Sequence, residues 1–269
     1  MNTVSSPRFK RGESSLLISV PHAGIKIPTG LLHQFMPAAR ALPDTDWHVD
    51  RLYDWAPGKG AGLLVAPMSR YVIDLNRPPD DTPLYDKTTS SLLTGLVPVR
   101  TFSGFPVYAP GHEPSAQHVR DRLERYWQPY HRCLCEELER IKQRHGYAVL
   151  LDAHSIRSRQ PLLFDGALPD LNLGSNGGSS ATRTLIAAAS KALQGSRFSM
   201  VLDGRFKGGY ITRHYGSPAT GVHALQLEIA QSAYMQEDPP CWQDERAVSV
   251  QAVLHGLVEV LMQWKPNGD

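Results

Sequence analysis

The stretch VLLDAHS at residues 149–155 decides the fold class, because an apolar run passes directly into polar groups. The run is too short for a helix and is typical of a buried strand. In α/β proteins, ligands bind in the crevice beyond the carboxyl ends of the strands. We therefore predict that Asp152, His154 and Ser155 lie at the carboxyl end of a buried strand, where they can contribute to a site.

Two further apolar runs also carry a potentially reactive residue, one at its end and one within it. The run LLISV at residues 16–20 leads into PHAG at 21–24, which places His22 at a strand end. The run ALQLEI at 224–229 carries one acid, Glu228, inside an apolar strand. Strand and helix patterns alternate along the chain, which predicts an α/β fold with a mostly parallel, helix-covered sheet. We expect a leader at residues 1–14 and a single catalytic domain at residues 15–269.

Composition argues against several classes of protein. The net charge is +2, so no general electrostatic attraction to nucleic acid or membranes is expected. No apolar run reaches the length of about 18 residues that a membrane span needs. The three cysteines contain no CxxC pair, which disfavours a disulfide framework and cysteine-bound zinc. A cytoplasmic protein acting on a small anion is predicted.

Acidic residues cluster around a predicted helix start. Asp44 or Thr45 can cap a helix that continues to about residue 56. Asp46 and Asp50 are four residues apart and would share one face of that helix. The acids are either a solvated helix start that complements the helix dipole or the source of an oxygen ligand for a metal ion. These residues alone leave both interpretations open.

Basic and amide groups gather after a predicted strand at residues 70–75. By the twofold period of a strand, Arg70, Asp74 and Asn76 share one face, and Arg77 follows them. A guanidinium and an amide together suit the recognition of a carboxylate. The alternative is a structural pair between Arg70 and Asp74 at the sheet edge.

Two other segments supply candidate groups for binding an anionic substrate. Arg157 lies three residues after His154. A glycine-rich stretch at residues 204–216 includes Arg213 and Tyr215, and we interpret it as a substrate-contact loop, with a merely flexible surface loop as the rival.

The strand ends together suggest metal-dependent hydrolysis. His22, His154 and one acid from the segment 44–50 would form a two-histidine, one-carboxylate set of the kind that binds catalytic zinc. Glu228 would carry a proton from water to the leaving nitrogen, and burial would raise its pKa toward the working range. The alternative for Glu228 is a buried acid paired with an arginine.

Five runs carry a resemblance that spans roughly residues 15–262 in order. They are VPHAG (20–24), DTDWHVDRL (44–52), SRYVIDLNRP (69–78), DAHSIRS (152–158) and GGYITRHYG (208–216). Together they resemble the N-formylglutamate amidohydrolase family, which is similar in fold to zinc carboxypeptidases. The resemblance implies a three-layer α/β/α domain that hydrolyses N-formyl-L-glutamate to formate and L-glutamate, the last step of histidine degradation.

The resemblance also implies roles for single residues. His22 and His154 match the two histidine ligands of one zinc ion, the pair Asn76-Arg77 matches a substrate-carboxylate clamp, and Glu228 matches the general base. Carboxypeptidases place a glutamate three residues after the first histidine, where this chain has Ile25. The acid must therefore come from elsewhere.

For that acid we favour Asp50, with Asp46 next. Arg70, Arg157, Arg213 and Tyr215 complete the expected substrate contacts.

Other functions remain as rivals. The chain could hydrolyse another N-acyl or N-formimino amino acid, or bind acidic amino acids without catalysis. A serine hydrolase using Ser155 is disfavoured because the Gly-x-Ser-x-Gly elbow is missing.

Overall fold

A computed structural model describes residues 6–84 and 95–266 of the chain. Its strands are β1 (Arg8–Lys10), β2 (Leu16–Val20), β3 (Gly62–Val65), β4 (Ala148–Ile156), β5 (Leu171–Gly174), β6 (Met200–Leu202), β7 (Val222–Ala230), β8 (Met235–Glu237) and β9 (Pro240–Trp242). Its α-helices are α1 (Thr29–Leu32), α2 (Pro37–Arg40), α3 (Val49–Leu52), α4 (Ala116–Arg122), α5 (Gln128–His145), α6 (Arg183–Gln194), α7 (Tyr210–Tyr215) and α8 (Asp244–Gln263). None of these helices is both long and apolar enough to span a bilayer.

A seven-stranded mixed sheet forms the centre of the fold, in the order β1-β3-β2-β4-β7-β5-β6. The central strands β3, β2, β4 and β7 run parallel, and β6 is parallel to β5. Two pairs are antiparallel, β1 with β3 and β5 with β7. The prediction of a mostly parallel mixed sheet is confirmed.

Side chains of the central strands alternate between two helix layers. On β4, Val149 and Leu151 belong to the core that packs under α6 and α8, whereas Leu150 packs under α5. Each fully buried leucine or valine contributes about 1.5–3 kcal/mol of hydrophobic stabilisation. By the same alternation, Asp152 and His154 lie on the α5 face of the sheet. The fold is therefore a three-layer α/β/α domain with its polar groups on one face.

The long helix predicted at residues 115–145 is present with one irregularity. The hydroxyl of Ser115 accepts a hydrogen bond from the backbone of His118 and caps α4. A π-helical turn, Leu123–Trp127, separates α4 from α5 just before Pro129. Proline has no N–H to donate, so the helical hydrogen-bond ladder must adjust there. Gly146 ends α5 in a left-handed conformation with φ of 83°.

Several predicted elements differ in the structure. Residues 70–75 form turns rather than a strand, and the backbone N–H of Asp74 donates to the carbonyl of Leu96. The helix predicted at 44–56 is reduced to α3, because His48 has a left-handed backbone with φ of 65° that prevents a helix from passing through it. The predicted helix at 30–41 is divided into α1 and α2.

The remaining corrections concern segments predicted to be irregular. Residues 8–10, which we assigned to a leader, form β1 and pair with β3, so the sheet extends across the expected domain boundary at residue 15. Residues 171–174 form β5 rather than a loop. Helix α7 occupies the second half of the glycine-rich stretch 204–216. The first half, residues 204–209, lies in the loop between β6 and α7.

Candidate active site

The polar groups of three neighbouring parallel strands meet at their carboxyl ends. His22 follows β2, His154 lies on β4, and Glu228 lies on β7 directly beside His154 in register. All three side chains are buried. The predicted site at the carboxyl end of the strands is therefore formed, although β4 continues to residue 156 and carries its polar groups within the strand.

Three side chains converge with the donor atoms that a metal ion requires. His22, Asp46 and His154 each offer one ligand atom, and these atoms lie within 4.8 Å of one another. Nδ1 of His154 is 2.9 Å from Oδ2 of Asp46, and Nδ1 of His22 is 3.8 Å from the same oxygen. Two imidazole nitrogens and a carboxylate oxygen are suitable ligands for a divalent transition metal. A metal ion held by these three atoms would keep coordination positions for water or substrate.

Each histidine is oriented by a second aspartate. Nε2 of His22 donates to Oδ1 of Asp74 at 2.8 Å, and Nε2 of His154 donates to Oδ2 of Asp152 at 3.0 Å. Nδ1 of each ring faces Asp46, and Nδ1 of His154 donates to its carboxylate, so a bound cation would replace that proton. A carboxylate behind each ligating imidazole fixes its tautomer and increases its basicity. Both histidines are thus preorganised with Nδ1 as the ligand atom.

Burial and charge set the protonation of this cluster. Burial and the nearby guanidinium of Arg70 lower the pKa of His22. Burial alone would also lower the pKa of His154, but the carboxylates of Asp152 and Asp46 outweigh it and hold that pKa well above its ordinary value. Burial likewise opposes ionisation of Asp46, yet the two histidines keep its pKa below the usual range. The cluster therefore concentrates negative charge on Asp46, where a cation would be bound.

Asp46, not Asp50, is the acid that joins the two histidines. Oδ2 of Asp46 also accepts from the backbone N–H of Ser155 at 3.1 Å, which locks the carboxylate toward the site. The side chain of Asp50 is 31% exposed and is paired with Arg8 at 2.5 Å. The left-handed residue His48 lies between the two acids, so they do not share a helix face. The geometry therefore favours Asp46 over Asp50 as the acid of a metal site.

Glu228 is the other acid of the site. Its carboxylate lines the cavity, and Oε2 accepts a hydrogen bond of 3.4 Å from the side-chain amide of Gln226. Burial raises its pKa to about 8, and the negative charge of Asp46 adds to this effect. A carboxyl group with this pKa can exchange protons near neutral pH. The predicted direction of the shift is confirmed.

A cavity of about 300 Å³ opens beside these groups. Its described lining has three arginine side chains, Arg70, Arg77 and Arg205. The guanidinium of Arg70 donates to Oδ2 of Asp74 at 2.9 Å and lies 3.5 Å from Oδ1 of Asp46, so it neutralises buried carboxylates. The structural pair that we weighed for Arg70 and Asp74 is therefore present, although Arg70 still borders the cavity.

Asn76 lines the cavity, and both the nitrogen and the oxygen of its side-chain amide form hydrogen bonds within the protein. Its Nδ2 donates to Oδ2 of Asp152 at 3.2 Å, and its Oδ1 accepts from the backbone N–H of Ile211 at 2.8 Å. Gly209 packs so closely that a Cβ there would lie 2.3 Å from this amide nitrogen. Asn76 thus connects α7 to Asp152 and His154, and the carboxylate clamp implied by the resemblance stays a prediction.

Three predicted substrate residues do not border the cavity described by residues 6–84 and 95–266. Arg157 donates to the carbonyl of Glu237 at 3.1 Å, and Nε of Arg213 donates to the carbonyl of Gly208 at 2.8 Å. The hydroxyl of Tyr215 lies 2.9 Å from Nδ1 of His131. These contacts belong to loops and α7, so the structure gives no support to the predicted substrate contacts of these three residues, which stay predictions. Arg205, which we had not singled out, faces the cavity from the same glycine-rich stretch.

Comparison with known proteins gives consistent results. The sequence model described as N-formylglutamate amidohydrolase matches residues 14–235. An N-formylglutamate deformylase from Pseudomonas aeruginosa is 51% identical over 260 residues, covering 95% of this chain and 96% of that protein. One from Pseudomonas putida is 48% identical, covering 95% of each chain. The crystal structure of N-formylglutamate amidohydrolase from Ralstonia eutropha JMP134 superposes with a TM-score of 0.83 at 26% identity, covering 95% of this chain and 97% of that one.

Proposed function

Because this chain belongs to the N-formylglutamate amidohydrolase family, we propose that it hydrolyses N-formyl-L-glutamate to formate and L-glutamate. The observation that carries the proposal is the convergence of His22, Asp46 and His154 beside Glu228 in one cavity. The family resemblance further suggests a place in histidine breakdown, and the cysteine pattern a cytoplasmic location; we retain both as expectations.

The donor set supports a resident divalent metal ion, and we propose zinc. Two neutral imidazoles and one carboxylate are a common protein ligand set for catalytic zinc. Asp74 and Asp152 would hold the two imidazoles in the ligating tautomer. When bound, the ion supplies Lewis-acid polarisation of the formyl carbonyl and makes the attacking water more acidic.

Glu228 is the group that would move the proton in the proposed reaction. It would accept a proton from the attacking water as the new carbon–oxygen bond forms at the formyl carbon. It would then deliver that proton to the amide nitrogen as the carbon–nitrogen bond breaks, so that glutamate leaves as an amine. Its burial excludes bulk water from this exchange, and a cation at the donor set would lower its raised pKa toward neutrality.

The substrate is an anion, and Arg77 lines the cavity next to Asn76, whereas Arg70 is already paired with buried carboxylates. Arg77 directly follows Asn76, whose amide nitrogen lies 3.0 Å from Nε2 of His154. The indole N–H of Trp127 donates to the Arg77 carbonyl at 3.0 Å and fixes its backbone. We propose that Arg77 binds the α-carboxylate, since that group shares a carbon atom with the amide nitrogen.

The decisive experiment is formate release from N-formyl-L-glutamate by the purified protein, with and without a chelator. We expect turnover that is lost on chelation and restored by zinc, together with about one metal ion per chain by elemental analysis. N-acetyl-L-glutamate serves as the comparison substrate. Absence of formate release from metal-loaded protein would refute the proposed reaction, and full turnover in metal-free protein would refute the metal requirement.

A further inference from the structure

An apolar cluster borders the cavity without a role in the proposed bond cleavage. Phe102, Ile156 and Leu168 are buried together, and Leu163, Phe164 and Phe206 pack against them. Four members of this cluster line the cavity: Phe102, Ile156, Leu163 and Phe206. An apolar wall next to a metal-ligand set favours the hydrocarbon part of a substrate.

Arg205 is anchored on this apolar cluster. Its Nε donates to the carbonyl of Leu163 at 2.8 Å, and its guanidinium carbon lies 5.5 Å from the centre of the Phe206 ring. Leu163 and Phe206 are both members of the cluster, so the guanidinium is held at the apolar wall by two contacts. A guanidinium anchored through Nε keeps its two terminal nitrogens on the opposite edge. That edge has the geometry to bind a carboxylate with two parallel hydrogen bonds.

The two cavity arginines come from different parts of the fold. Arg77 directly follows Asn76, whose side chain contacts His154. Arg205 belongs to the loop between β6 and α7. In N-formylglutamate the α-carboxylate is on the carbon that bears the amide nitrogen. The side-chain carboxylate is separated from that carbon by two methylene groups. The apolar wall suits the two methylene groups, and Arg205 suits the side-chain carboxylate that follows them.

We propose that Arg205 binds the side-chain carboxylate of the substrate and selects dicarboxylic N-formyl amino acids over neutral ones. The inference rests on the proposed function, because it presumes an N-formyl amino acid in the cavity. It assigns each substrate carboxylate to its own arginine.

Two substrates of similar shape, N-formyl-L-glutamate and N-formyl-L-glutamine, distinguish the proposed roles of Arg205 and Arg77. N-formyl-L-glutamine retains the α-carboxylate but replaces the side-chain carboxylate with an amide. We expect Arg205→Gln to lower kcat/KM for N-formyl-L-glutamate roughly 10- to 100-fold, mostly through KM, because a charged hydrogen-bond pair is lost. The same variant should change kcat/KM for N-formyl-L-glutamine far less. Arg77→Gln should impair both substrates.

Lys207→Gln is the matched control, since it removes one positive charge from an exposed position of the same loop. Equal losses on both substrates in Arg205→Gln, or no loss on either, would overturn the assignment. If the wild-type protein hydrolyses neither compound, the proposed reaction is refuted, but the binding role of Arg205 can still be tested. Calorimetric binding of the two compounds then tests Arg205 by itself, and a wild-type preference for N-formyl-L-glutamate that Arg205→Gln leaves unchanged would contradict its role.

Discussion

Asp74 binds His22 and Arg70 with its two carboxylate oxygens, accepting from Nε2 of His22 at 2.8 Å and from the guanidinium of Arg70 at 2.9 Å. Its Oδ1 also accepts from the backbone N–H of Asn76 at 2.8 Å. Burial opposes ionisation of Asp74, but His22 and Arg70 outweigh it and hold its pKa well below the ordinary range. One carboxylate with a lowered pKa therefore orients a proposed metal ligand and neutralises the nearest guanidinium.

Asp74→Asn should weaken metal binding while the fold is retained. The variant keeps the size of the side chain but removes the charge that fixes the tautomer of His22. We expect a roughly 10- to 100-fold loss of zinc affinity, measured by competition with a chromogenic chelator. Asp54→Asn, at an exposed position, is the control and should bind zinc normally. Unchanged affinity in Asp74→Asn would show that His22 does not depend on this contact.

Asp46→Asn and Asp50→Asn distinguish the two candidate acids directly. Asp46 is buried between the histidines, whereas Asp50 is paired with Arg8 near the surface. We expect elemental analysis to find metal lost from the Asp46 variant and retained in the Asp50 variant. The reverse pattern would identify Asp50 as the metal ligand.

Glu228→Gln should retain metal and lose turnover by about 10²-fold or more, because the amide cannot carry the proton between water and nitrogen. Formate release and metal content are measured on the same sample. Glu259→Gln, on the exposed side of α8, is the control and should keep normal turnover. Near-normal turnover in Glu228→Gln would exclude Glu228 as the proton carrier.

Gly209→Ala should displace Asn76 and reduce activity. The new Cβ would lie 2.3 Å from Nδ2 of Asn76, a distance that forces either the amide or α7 to move. We expect a destabilisation of about 1–3 kcal/mol, read from chemical unfolding, together with a lower kcat. Gly58→Ala is the control, because a Cβ there meets no atom within 4 Å. Equal stability of the two variants would contradict the close packing at Gly209.

His131 should make the stability of the protein depend on pH below neutrality. Burial lowers its pKa to about 3 in the folded protein, compared with about 6.5 in the unfolded chain. The unfolded chain therefore binds the proton first, and the contribution of neutral His131 is complete above about pH 6.5 and is lost as the pH falls toward 3.

The slope from this single group reaches about 1.4 kcal/mol per pH unit. His131→Gln should show a shallower loss of unfolding free energy between pH 6.5 and 4 than the wild-type protein, in urea titrations at several pH values. His118→Gln, at an exposed position on α4, should keep the wild-type slope. Identical slopes in all three proteins would contradict a neutral buried His131.

Much of the site was predictable because its residues follow regular strands. His22, His154 and Glu228 come after or within apolar runs, and parallel strands bring their carboxyl ends to one edge of a sheet. Arg205 could have been noticed in the glycine-rich loop, but nothing in its spacing distinguished it from Arg213. Turn and loop segments lack a period, so the direction of their side chains is not encoded in a local pattern.

The sequence by itself determined the α/β fold, the strands that carry the site, and three of its chemical groups, because strand periodicity and burial are local properties of the chain. Only the tertiary structure decided that Asp46 rather than Asp50 joins the histidines, since the left-handed His48 rotates one acid into the core and leaves the other near the surface. It also showed that Asn76 joins α7 to the donor set and that Arg205 faces the cavity. Those outcomes depend on the directions of turns between elements, which are fixed by packing across the whole domain.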